Sequence, residues 1–354
     1  MARQPKSTPT IQDIAEALGV NKSTVSQGLS GKGTLSAAMR ARVMTAAHEI
    51  GYRPHPLAQR LARGRSSTLV CITAGSLDVG LGTSKILMVQ KELAARSFEV
   101  PIYACPALSG EDGKAAADQI QQLCRQMPLA IICMGASLHP DALPELEAYQ
   151  DAGGIVVNFD LEVALDCDQV VFDREDNAYR AARHLLELGH RKIAMTNTRG
   201  NSARPIPTPQ SFRFLGFQRA LAEFGVSVHP EWVFQNEPYE EGGEELARNF
   251  LALKERPTGI CIVNDYVALA FMSDLLRAGV RVPEEVSIVS HDNQRIASHC
   301  PVPLTSVAHP AQEIAHAVVQ LLIQRIEGYD GPPRTITLHG ELVRRQSVAP
   351  PPTV

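Results

Sequence analysis

What the chain lacks narrows its function before any motif is read. No apolar run approaches the roughly 18 residues that a membrane-spanning helix needs; the longest, Leu129 to Ala136, stops at eight. The first residues, Met1-Ala-Arg-Gln-Pro-Lys-Ser7, lack the apolar core of a secretory signal, so export is not expected and the chain is expected to be cytoplasmic. Seven cysteines at 71, 105, 124, 133, 167, 261 and 300 are never three apart. That spacing supports neither a zinc cluster nor a disulfide framework. There is no His-Glu-x-x-His, no Gly-x-Ser-x-Gly and no paired-cysteine motif. Gly80-x-Gly82 follows a strand but meets Lys85 where a dinucleotide loop needs its third glycine. Gly28-Leu-Ser-Gly-Lys-Gly-Thr34 misplaces the lysine and second glycine of a phosphate-binding loop. No nucleophile, base or metal set emerges, so neither an enzyme nor a cofactor is expected.

What is present is an asymmetry. The 354 residues carry a net charge of −4, but residues 1–65 hold ten lysines and arginines against three acids, a surplus of +7. The remainder holds 24 basic against 35 acidic side chains, or −11. A small basic head on an acidic body implies that the head meets a polyanion. The head has a pattern to match. Thr10-x-x-Asp13 reads as a capping box ahead of Ile11, Ile14, Ala15 and Leu18 at helical spacing. Gly19 ends that helix, Val20-Asn21 turns, and a second helix runs from about Lys22 to Leu29. A third covers about 36–50, with Met39, Val43, Ala46 and Ala47 on one face. Two short helices joined by a glycine turn make a DNA-reading helix-turn-helix. The segment 52–67, with two prolines and several arginines, is too short and too basic to be a domain.

From Thr68 onward, short apolar strands alternate with helices. Leu69–Thr73, Leu129–Cys133, Gly154–Asn158, Lys192–Met195, Gly259–Val263 and Val286–Val289 read as buried parallel strands, with helices at about 85–96, 178–188 and 215–224 between them. The alternation predicts doubly wound parallel sheets covered by helices, and about 285 residues call for two such subdomains with a ligand crevice at the strand ends.

Particular runs narrow this further. Thr10-Ile-Gln-Asp-Ile-Ala-Glu-Ala-Leu-Gly-Val-Asn-Lys-Ser-Thr-Val-Ser-Gln27, Gly51-Tyr-Arg-Pro54 and Leu57-Ala-x-x-Leu61 resemble the head and hinge of the lac repressor (LacI/GalR) family of bacterial transcription regulators. Arg183–Ile193, Arg213-Phe-Leu-Gly-Phe217, Asn264-Asp265, Val282–Ile288 and Pro303–Val307 are similar to that family's effector-binding core, of the periplasmic-binding-protein type. The resemblance implies a head at 1–54, a hinge helix at 55–67 and a body at 68–345, with residues 346–354 as a tail. It divides the body into an N-subdomain of 68–160 plus 292–323 and a C-subdomain of 161–291 plus 324–345.

The resemblance also assigns roles. Lys22, Ser23 and Gln27 fall where the family reads bases, Thr24 and Ser26 where it holds phosphates, and Thr10 is counted with the DNA-binding residues. Arg53, at the end of the head, is a further expected DNA contact, and Leu57, Ala58 and Leu61 fall on the hinge, with Leu61 at the position that wedges into the minor groove. Asp160, Arg213, Asp265 and Asp292 are expected to contact a polyhydroxyl effector, and Phe159, Phe172 or Tyr239 to stack on it. The implied partners are a pseudo-palindromic operator in double-stranded DNA, a small effector (a sugar first; a nucleoside, purine or sugar phosphate as the alternative) and a second copy of the chain. Three departures stand out. Gln27 replaces an arginine, and Gly28 replaces a larger apolar residue and is expected to loosen its helix. The first strand is followed by Gly75-Ser-Leu-Asp-Val-Gly-Leu-Gly-Thr-Ser84 in place of the family's usual pocket-lining turn. The proline-rich end lacks heptads, which favours a dimer over a tetramer.

Overall fold

The computed structural model describes residues 10–353 apart from 31–34, 51, 53–67, 76, 78–79, 106–107, 109–111, 199–208 and 238. The head is three helices, α1 (Ile11–Leu18), α2 (Lys22–Ser30) and α3 (Ala37–Ile50). Asp13 closes the capping box by accepting from both the amide (2.6 Å) and the hydroxyl (2.8 Å) of Thr10. Gly19 takes φ = 64°, a turn open to glycine at little cost. Ile14, Ala15, Val25, Val43, Ala46 and Ala47 form a small closed core of their own.

The body is two six-stranded sheets. The first contains β1 (Val70–Ala74), β2 (Ile102–Ala104), β3 (Ala130–Met134), β4 (Ile155–Asp160), β5 (Asp168–Phe172) and β11 (Thr335–Leu338), in the order β11-β5-β4-β3-β1-β2 and parallel throughout. The second contains β6 (Ile193–Thr198), β7 (Val233–Asn236), β8 (Gly259–Cys261), β9 (Ser287–Asp292), β10 (Thr305–Ala308) and β12 (Leu342–Val343), in the order β12-β10-β9-β8-β6-β7. Only β12 runs antiparallel to its neighbour there. Strands such as Ala130–Met134 read as unbroken apolar runs because helices cover both faces, giving two cores per sheet. α4 (Leu81–Ala94), α5 (Gly113–Arg125) and α6 (Leu143–Asp151) serve the first sheet, and α7 (Arg174–Glu187), α8 (Pro209–Glu223), α9 (Glu240–Ala252) and α10 (Asp265–Arg277) the second. Among the described residues no helix is long and apolar enough to cross a membrane. The seven cysteines are all free.

The subdomain boundaries differ from the sequence expectation. β5 and β11 lie in the first sheet and β10 in the second, while α11 (Ala311–Ile326) packs on α4, β4 and β5. The chain therefore crosses between lobes near Asp173, His309 and His339, giving 68–172 plus 311–338 and 174–308 plus 340–349. The reason is long-range pairing. Asp168, fully buried, accepts from Arg325 (2.8 and 3.0 Å) and from the amide (2.8 Å) and guanidinium (2.9 Å) of Arg334, which pins β11 beside β5. The expected tail at 346–354 is likewise not free. Ser347 is fully buried, accepts from the Thr305 amide (2.8 Å) and donates to the Ile288 carbonyl (2.6 Å).

Candidate functional site

Two regions concentrate exposed or unusual polar chemistry, one on the head and one between the lobes. On the head, the Asn21 side chain caps α2, accepting from the Thr24 amide (3.1 Å) and from the hydroxyls of Thr24 (2.7 Å) and Ser23 (2.8 Å). Val25 is buried in the head core, while Lys22, Ser23 and Gln27 of α2 are exposed and Thr24 and Ser26 half-buried; Thr10, at the start of α1, is exposed as well. Gly28 is not the slack point expected. It is buried, and a Cβ there would lie 2.8 Å from Val43 Cβ. Glycine lets α2 approach α3 more closely than any side chain permits. Arg53, Leu57, Ala58 and Leu61 lie outside the described residues.

Between the lobes, β4 and β9 end at equivalent edges in Asp160 and Asp292, both at positive φ (83° and 93°). Such backbone is sparsely populated by residues other than glycine and persists only where the surroundings hold it. Asp160 is buried. It pairs with Lys85 from the first turns of α4 and with Arg174 at the start of α7, whose Nη2 donates to Oδ2 at 2.7 Å and whose Nη1 donates to the carbonyl at 2.9 Å. His309 Nε2 lies 3.7 Å from Oδ1. Burial alone would raise the Asp160 carboxyl; Arg174, Lys85 and His309 override it and hold the group well below the usual carboxylate range. Burial pushes His309 down to about 3, so it is neutral, and its ring packs against Phe172 at a 35° tilt with centroids 3.9 Å apart.

A cavity of about 250 Å³ opens beside this cluster. The first lobe borders it with Gly80, Leu81, Gly82, Thr83 and Met134, the second with Tyr239, Asn264, Tyr266, Asp292 and Gln294. The divergent segment after β1 thus supplies one wall as the N-terminus of α4. Burial, and then the neighbouring charge of Asp265, push Asp292 up to about 7, against Arg213, Lys85 and Arg174. Arg213, half-buried on α8, is lowered to about 10 by burial and by Arg174, opposed by Asp292 and Asp160.

The expected contacts therefore divide. Asp292 and Tyr239 border the cavity, and Arg213 and Asp160 stand within electrostatic reach of Asp292 or of each other. Asp265 does not reach it. Fully buried, it accepts from the hydroxyls of Ser290 (2.5 Å) and Ser306 (2.9 Å) and the amide of Gln294 (2.6 Å), anchoring the loop after β9. Its neighbour Asn264 lines the cavity instead. Phe159 is sealed in the core of the first sheet, and Phe172 is committed to His309. Hydrophobic residues at strand ends look alike in sequence whichever way they point. The sequence reading missed Lys85, Arg174, His309, Asn264, Tyr266 and Gln294. Lys85 left a signal, since it interrupts the inward stripe Ile86, Val89 and Leu93 of α4 with a charge.

The model for bacterial regulatory proteins of the lacI family matches residues 10–55, and that for a periplasmic binding protein-like domain matches 182–348. The chain belongs to the LacI family of bacterial regulators. Like other LacI-family members it is a DNA-binding regulator of transcription. It is 26% identical over 341 residues to the HTH-type transcriptional repressor PurR of Photobacterium profundum, covering 96% of this chain and 98% of that one. To the repressor CytR of Escherichia coli it is 29% identical, with 92% of each covered. A transcriptional regulator CelR–cellobiose complex superposes with a TM-score of 0.68 at 25% identity, over 96% of this chain and 99% of that chain.

Proposed function

We propose that this LacI-family regulator is a repressor. It works in the cytoplasm as a homodimer on a pseudo-palindromic operator, is not an enzyme, and has an operator affinity controlled by a small polyhydroxyl ligand in the cleft. The observation that carries the reading is the union, in one chain, of an exposed helix-turn-helix face and a cavity walled by both lobes. Each head reads one half-site, so two-fold symmetry in the DNA calls for two copies. Lys22, Ser23 and Gln27 are read as base contacts and Thr10, Thr24 and Ser26 as phosphate contacts. Arg53 is read as a DNA contact at the end of the head, and Leu57, Ala58 and Leu61 are assigned to a hinge that wedges the minor groove. In the cleft, Asp292 and Gln294 offer hydrogen bonds suited to hydroxyls. A volume near 250 Å³ fits a ligand of monosaccharide or nucleoside size, and Tyr239 and Tyr266 give it aromatic walls. A CelR bound to cellobiose, similar to this chain in fold, fits a polyhydroxyl ligand.

A ligand moves such a regulator only through its different affinity for open and closed lobes. The crossovers near Asp173 and His339 run side by side, with the Asp173 amide donating to Leu338 (3.0 Å), so lobe closure is read as a hinge motion about them. The test is selection of duplexes from a random pool by the full chain. A two-fold-symmetric motif is expected, bound less well by Leu61→Ala; a pool without enrichment, or one enriched for asymmetric sites, overturns the reading.

A further inference from the structure

The start of α2 fixes the direction of one exposed hydroxyl. Asn21 Oδ1 accepts from the Thr24 amide at 3.1 Å. A backbone amide only donates, so the atom turned towards it is the Asn21 oxygen and not its NH2 group. The same oxygen receives the hydroxyls of Ser23 (2.8 Å) and Thr24 (2.7 Å). An amide oxygen has no proton to give, so Ser23 spends its single proton inside the head. Thr24 is half-buried, whereas Ser23 is exposed. Ser23 Oγ therefore meets an incoming partner with lone pairs alone. It is an acceptor there, not the two-way group a serine hydroxyl otherwise is.

In the major groove that polarity selects. Adenine N6 and cytosine N4 are donors, while guanine O6 and thymine O4 are acceptors. An acceptor-only hydroxyl gains a hydrogen bond from an amino group. Against a keto oxygen it sets lone pair against lone pair, or it must first break its bond to Asn21. We infer that Ser23 selects an amino base, adenine or cytosine, at its place in each half-site, and that Asn21 is the positioning residue that imposes the choice. This rests on the reading of α2 as the helix that enters the major groove. It gives Asn21 a part in sequence specificity beyond capping the helix, exerted through its neighbour's proton.

Every base pair holds one amino and one keto base, so the test removes single groups from a selected duplex. The pair in question is the symmetric position at which Ser23→Ala flattens the preference of the full chain. There the amino group is deleted by purine in place of adenine, or pyrimidin-2-one in place of cytosine. The keto oxygen is deleted by 5-methylpyrimidin-2-one in place of thymine, or 2-aminopurine in place of guanine. Each loss of affinity is taken relative to Ser23→Ala, which cancels the weakened base pair. Amino deletion is expected to cost the wild type about three- to tenfold more than it costs Ser23→Ala, and keto deletion to cost both alike. Changing the amino base to its keto counterpart, adenine to guanine or cytosine to thymine, should carry a similar penalty. Asn21→Gly keeps a tolerable helix cap but frees the hydroxyl to turn, and should lose most of that penalty. Asn21→Asp keeps the acceptor and should retain it, at an affinity lowered alike for all sequences. A wild type sensitive to the keto group instead overturns the inference, as does Ser23→Ala flattening no position or Asn21→Gly keeping the full penalty. Group deletion against Ser23→Ala decides if Asn21→Gly does not fold. These failures leave operator recognition standing, whereas a pool without any enriched motif removes that reading and this inference together.

Discussion

Asp292 ends β9 on a backbone at φ = 93° and is held near pKa 7, by burial first and by Asp265 second. A carboxyl whose folded pKa is raised binds its proton more tightly folded than unfolded. Its contribution is intact below about pH 4 and is lost as pH rises through 7. Asp292→Asn keeps a side chain tolerant of positive φ and removes the titration. The variant should therefore exceed the wild type by roughly 2 kcal/mol at pH 8, after allowance for partial exposure, and approach it near pH 4. Urea denaturation across that range checks the sign. Asp160 is the opposite case. Its carboxyl is held low, so Asp160→Ala at pH 7 strands Lys85 and Arg174 as buried cations and should cost about 3–5 kcal/mol by the same measurement. A cost below about 1 kcal/mol would mean the pair is solvated. The sequence presented Asp160, Asp265 and Asp292 as equals; burial and partners, which spacing does not encode, divided them into a neutralised floor, a loop anchor and a cavity wall.

The helices of the head follow from local signals, since a capping box, a glycine turn and a 3.6-residue stripe act within a few residues of each other. What those signals do not give is how closely α2 and α3 cross. Because the missing Cβ of Gly28 would overlap Val43, Gly28→Ala should destabilise the head by about 1–3 kcal/mol despite alanine's better helix propensity. Adding Val43→Ala should recover part of the loss. Hydrogen exchange of α1–α3 reports both; a stabilised single variant would refute the close-contact argument. At the other end, Ser347 satisfies the Thr305 amide of β10. Ser347→Ala leaves that buried donor unpaired at about 1–3 kcal/mol, seen as a melting point several degrees lower. Short strands such as Ile102–Ala104 and Thr335–Leu338 escaped the sequence reading because edge strands need only a few half-buried residues to pair.

For the whole molecule the decisive fact is charge segregated by domain, a basic head on an acidic body. Operator affinity of the full chain should fall linearly in log–log salt, by about 0.9 per phosphate contact. Gln27→Ala should relax base preference at one symmetric pair of positions and leave that slope unchanged. A slope near zero would contradict phosphate anchoring, and a changed slope would make Gln27 a backbone contact.

Composition, periodicity and the head motif determined by themselves that a helix-turn-helix precedes two parallel-sheet lobes, because those patterns act over neighbouring residues. Tertiary structure alone decided which lobe owns β5, β10, β11 and α11, that the residues after Gln346 complete the second lobe, and that Asn264 rather than Asp265 faces the cavity. It also turned Lys85, a misfit in a glycine pattern, into the buried ion-pair partner of Asp160. These outcomes depend on pairings across many tens of residues and on which way a side chain points at a strand or helix end. Both are settled by burial and by ion pairs that form only once the lobes are assembled.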